Sequence, residues 1–147
     1  MPYLYPSGVS EIVRFGLLGF AMSRYSGCWV GLKIVSDVAD SGRTYDTSIE
    51  NEEIIVPSGA FLGEYKDLPR NILFSDTPRE QDFRLQRAKG FAAQEFVRAN
   101  QIDKVIWKNN NAKLGIISAG KSYNDVLEAF RWPVSYTHLR AHETTSD

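Results

Sequence analysis

Residues 115–122 read GIISAGKS, and the phosphate-loop pattern G-x-x-x-x-G-K-[ST] fits them letter for letter. In such a loop a strand precedes the first glycine, and the turn after it aims successive backbone N–H groups at phosphate. Here NNNAK, which is turn material, precedes Gly115, and the branched Ile116 and Ile117 fall where the cradle would be. The spacing predicts instead a strand over Leu114–Ser118, a turn at Ala119 and Gly120, and a helix from Lys121 to about Arg131. Tyr123, Val126, Leu127 and Phe130 lie on one side of that helix. One strand and one helix cannot cover both faces of an α/β sheet. The expectation is therefore an α/β fold, incomplete in this chain, with its remaining strands supplied from elsewhere.

Working outward, the clearest helix runs over 77–100. Thr77 is a good N-cap, Pro78 takes the first helical position and Glu80 completes a capping box. Leu85, Ala88, Ala92, Phe96 and Ala99 form one stripe, and Asn100 ends it. Arg84, Arg87, Lys89 and Arg98, interleaved with Glu80, Asp82 and Glu95, read as a solvated basic face. KVIW at 104–107 predicts a short strand. Upstream, RTYDTSIE and EEIIVP resemble strands around a polar turn, followed by an irregular segment from Pro57 to Asp76. From Val9 to Ala39 the periodicity predicts two helices broken near Ser26 and Gly27, with Gly27 and Gly31 on one tightly packed face.

Composition narrows the function classes. The chain has 147 residues, 43% hydrophobic and 24% charged, with 17 basic and 18 acidic side chains and a net charge of -1. That balance gives no general attraction to nucleic acid or to an anionic membrane. The longest early apolar run, FGLLGFAM, is too short to span a bilayer and is flanked by Arg14 and Arg24. A single cysteine, Cys28, cannot form an internal disulfide or ligate an iron–sulfur cluster alone, which fits a cytoplasmic setting. Beside Trp29 and Val30 it reads as a small buried apolar side chain.

The last residues need separate treatment. His138 and His142 are four apart, with Glu143 following, a spacing that puts two imidazoles on one helical face as in zinc sites. No third ligand is predicted nearby. SYTHLRAHET also resembles a tail found on unrelated conceptual proteins from metagenomic assemblies, which looks like translated sequencing adapter. Residues 132–147 are therefore read as a non-native tail and left out of the functional argument.

The stretch GLLGFAMSRYSGCWVGLKIVSD, Gly16 to Asp37, resembles a signature of the large indolepyruvate:ferredoxin oxidoreductases, a thiamine-diphosphate-dependent 2-oxoacid:ferredoxin oxidoreductase family. SDTPREQDFRLQRAKGFAAQEFVRANQIDKVIW and AKLGIISAGKSYNDVLEAF are similar to the stretches that follow it there, in the same order and at similar spacing. With the opening MPYLYPSGVSEI, the likeness covers about Met1 to Phe130 and breaks at RWPVSYTHL.

The resemblance implies that residues 1–42 are the end of a pyrimidine-side thiamine-binding domain and residues 43–112 a connector containing the long helix. Residues 113–131 would be the first strand–helix unit of a domain like the transketolase C-terminal domain. For the complete enzyme it implies oxidative decarboxylation of aryl 2-oxoacids to acyl-CoA, with ferredoxin as electron acceptor. Thiamine diphosphate, Mg2+, [4Fe-4S] clusters and coenzyme A would serve that chemistry. None of these groups is expected to be retained by this piece, which is expected to be inactive alone. The family's activating glutamate, diphosphate motif and cluster cysteines have no counterpart in residues 1–131, so no catalytic, cofactor-binding or metal-binding residue is assigned. Arg24, Tyr25, Ser26 and Trp29 are the candidates for contact with substrate or with a neighbouring domain, combining a cation and two aromatics with close glycines. The expected partners are the remainder of the parent polypeptide or a complementary subunit, and ferredoxin. A nucleotide-binding P-loop protein and a non-catalytic interaction module are the alternatives.

Overall fold

Apolar residues at three- and four-residue spacing after Gly8 should line one face of a helix. In the computed structural model, which describes residues 1–131 apart from the side chains of residues 49 and 50, they do. Helix α1 spans Val9–Ser26 and buries Phe15, Leu18, Gly19 and Met22. It ends at Gly27, whose φ of 70° is left-handed and whose N–H donates to the Ser23 carbonyl at 2.9 Å. Glycine takes that conformation without steric cost. A Cβ there would lie 2.0 Å from the Arg70 carbonyl oxygen, so the same glycine sets how closely the later loop approaches.

Strands β1 (Tyr3–Leu4) and β2 (Gly31–Leu32) pair in parallel, with Tyr3 opposite Gly31 and Leu4 opposite Leu32. Parallel neighbours need a crossover, and α1 is that crossover. The second helix expected after Gly27 does not form. Residues 28–35 contain β2 instead, and a single helical turn, α2 (Ser36–Ala39), follows. Gly31 and Leu32 are drawn into extended backbone because Tyr3 and Leu4 offer a ladder beside them. Gly27 and Gly31 therefore do not share a helical face: one caps α1, and the other lies in β2 beside the Tyr3 ring.

The two strand-like segments that follow are not strands. Asp46 accepts the Ser48 N–H at 2.9 Å, an Asx-type turn that leads into a 3-10 helix at Thr47–Asn51. In EEIIVP the main chain of Ile55 is satisfied by one side chain. Asn100 Oδ1 accepts the Ile55 N–H at 2.9 Å, and Asn100 Nδ2 donates to the Ile55 carbonyl at 2.8 Å. The carboxamide stands in for a neighbouring strand and pairs both main-chain groups of this residue. The stretch from Pro57 to Asp76 is irregular except for a 3-10 segment at Ala60–Tyr65.

The long helix forms with its predicted start. Thr77 Oγ1 accepts the Glu80 N–H at 3.3 Å, and Glu80 accepts the Thr77 N–H at 2.8 Å, so the capping box is closed with Pro78 behind it. Its interior is not uniform. Helix α3 (Pro78–Arg84) and helix α4 (Gly90–Ala99) are joined by a π turn at Leu85–Lys89. The wider turn rotates the faces before and after it relative to one another. Ala88, Ala92 and Phe96 remain buried, whereas Leu85 is turned out to solvent. Arg84 and Lys89 are buried, so they do not belong to the solvated basic face, while Arg87 and Arg98 are exposed as expected. Arg84 pairs with Asp76, which also accepts the Leu73 N–H at 2.6 Å. That backbone hydrogen bond, with help from Arg84, holds the Asp76 carboxyl below its ordinary range.

The core sits where α1 crosses α4. Leu4, Phe15, Leu18 and Met22 from the first part of the chain pack with Ala93 and Phe96 from the long helix. A second cluster joins Leu62 to Ala88 and Ala92, and Tyr25 and Tyr65 pack against it. Helix α5 (Lys121–Arg131) forms as predicted, after a left-handed Gly120, but it has no buried residue. Neither Leu114–Ser118 nor Lys104–Trp107 is a strand, and none of the described segments pairs with either. A strand exists only with a ladder partner. The structure is about half helix with one two-stranded sheet, so its α/β character is marginal.

Candidate functional site

Arg24, Tyr25, Ser26 and Trp29 stand at the C-terminal end of α1 and just beyond Gly27. Helical geometry separates the first three by about 100° each, so they cannot all face one point. The structure shows that divergence. Arg24 is exposed, Trp29 is 83% exposed, and Ser26 is wholly buried. Ser26 Oγ donates to the Met22 carbonyl at 2.7 Å and accepts the Cys28 N–H at 3.2 Å, which occupies the hydroxyl within its own turn. Cys28 is buried, as its apolar neighbours suggest.

Tyr25 faces the interior and meets groups that are distant in sequence. Its hydroxyl donates to Glu95 at 2.7 Å, and the Glu95 carboxylate also accepts the Phe61 N–H at 3.3 Å. The Arg70 guanidinium lies over the Tyr25 ring, 4.5 Å from its centroid, and the Phe96 ring is 6.1 Å away on α4. Burial and then the hydrogen bond to Glu95 push the Tyr25 phenol above its ordinary value. A phenol held protonated on a carboxylate is a fastener between α1 and α4; it is not poised to give up its proton. Glu95 and Arg70 are the members of this cluster that the sequence reading missed. Glu95 looked like one charge among many on a helix, and Arg70 lay in an irregular loop with no periodicity to place it.

The second region grows from the loop motif. Gly120 adopts a φ of 60°, and a Cβ there would fall 2.3 Å from the Tyr5 ring, so the turn before α5 packs against the segment leading into α1. Asn124 Nδ2 donates to the Ser7 carbonyl at 2.8 Å across the same junction. Between the two helix starts lies an open hollow of about 360 Å³, whose lining includes Ser7, Asp37, Arg43 and Lys121. Lys121 does not extend over the loop as a phosphate-gripping lysine would. Its Nζ donates to both Asp125 carboxylate oxygens at 2.9 and 3.1 Å and stands 3.8 Å from Asp37. The hydrogen bond to Asp125, then its charge, raises the Lys121 ammonium above its ordinary value.

No group of three His, Cys, Asp or Glu side chains that could hold a metal ion occurs among the described residues. The His138, His142 and Glu143 spacing lies outside them. No described helix is long and apolar enough to cross a membrane. No family model, curated protein or solved structure matches the chain.

Proposed function

We propose that this chain is part of a 2-oxoacid:ferredoxin oxidoreductase acting on aryl 2-oxoacids such as indolepyruvate, and that it contributes packing surface and not catalytic groups. One observation in the structure supports this: large apolar side chains are left open to solvent over much of the molecule. Phe20, Trp29, Phe74, Val105 and Ile117 are all strongly exposed. Large apolar side chains left exposed in this number suit cover by another protein surface. The remainder of a parent polypeptide, or a complementary subunit, would supply that cover.

The described residues do not fit the cofactors of such an enzyme. Cys28 is one buried thiol where a [4Fe-4S] cluster takes four, and no described acidic or histidine cluster suits Mg2+ beside a diphosphate. No chemical step is therefore derived through thiamine diphosphate, a cluster or coenzyme A in this chain. The same exposed surface also suits a non-catalytic interaction module. Sequencing the source DNA across this reading frame separates the two. The oxidoreductase reading requires an in-frame diphosphate-binding motif and cluster cysteines in the same gene or its neighbour. A closed frame followed by unrelated genes would leave the interaction module standing.

A further inference from the structure

We draw no further inference here: the strongest candidate, the open hollow where the N-terminal ends of α1 and α5 face Asp37, Arg43 and Lys121, rests on two helix N-termini whose lysine is already held by Asp125, and no second observation there points to a ligand.

Discussion

Helices α1 and α5 both carry an apolar face in their sequence, yet α1 buries Phe15, Leu18 and Met22 while α5 buries nothing. The difference lies in what stands opposite. Helix α4 presents Ala93 and Phe96 to α1, and small alanines on the long helix let the two approach closely. Helix α5 meets the rest of the chain through an edge-to-face pair of Phe130 with Trp107, at 5.3 Å, and the Asn124–Ser7 hydrogen bond; none of its residues is fully buried, and no ladder holds the stretch before it. Periodicity states which face wants burial. It does not state whether a complementary surface is within reach.

The sharpest way to break this comparison is to remove its central side chain. Phe96 is wholly buried at the α1–α4 crossing, and Phe96→Ala is expected to lower the unfolding free energy by about 3 to 5 kcal/mol. Denaturant titration of the two proteins measures it, and a loss below about 1 kcal/mol would mean that the crossing is not the core.

Next in size is the turn that ends α1. Gly27→Ala forces a left-handed backbone on a residue with a side chain and drives that side chain into the Arg70 carbonyl. Overpacking alone costs about 1 to 3 kcal/mol, and the left-handed conformation about 1 to 2 more. Its thermal melt should fall well below that of Gly8→Ala, a glycine that a Cβ would leave nearly free of contacts.

The Tyr25 fastener sharpens the comparison through pH. The phenol's folded value is raised, so its contribution is fully present below the unfolded value of about 10 and is lost as pH rises through the folded value. Between neutral pH and about pH 11 the wild type should therefore lose stability more steeply than Tyr25→Phe, which has no proton to release there. Parallel curves for the two proteins would show that Tyr25 ionises freely and that its bond to Glu95 does not tie α1 to α4.

The smallest effect is expected in the uncovered region. Ile117 is fully exposed, and Ile117→Ser should change stability by no more than about 0.5 kcal/mol in the isolated chain. A loss above about 1 kcal/mol that depends on protein concentration would show that copies of the chain bury this stretch against one another. Solubility is the companion readout, since removing an exposed branched residue from an unpaired extended segment should reduce aggregation.

Local chemistry was sufficient for part of this architecture. The Thr77–Glu80 capping box, the stop at Gly27, the left-handed turn at Gly120 and the alignment of Ala88, Ala92 and Phe96 on one stripe are consequences of residues within a few positions of one another. Caps and helical stripes are short-range interactions, so their signals lie together in the chain. Tertiary structure decided the rest. Whether residues 28–35 became helix or strand depended on Tyr3 and Leu4 being available as ladder partners. EEIIVP lost its strand because Asn100, 45 positions from Ile55, took both of that residue's main-chain groups. Helical spacing already divided the candidate site, and tertiary structure decided which member turned inward: Tyr25 meets Glu95, 70 positions away, while Arg24 and Trp29 are exposed. A strand and the Tyr25 hydroxyl each take a partner that adjacent residues do not supply, and only the folded chain determines which partner arrives.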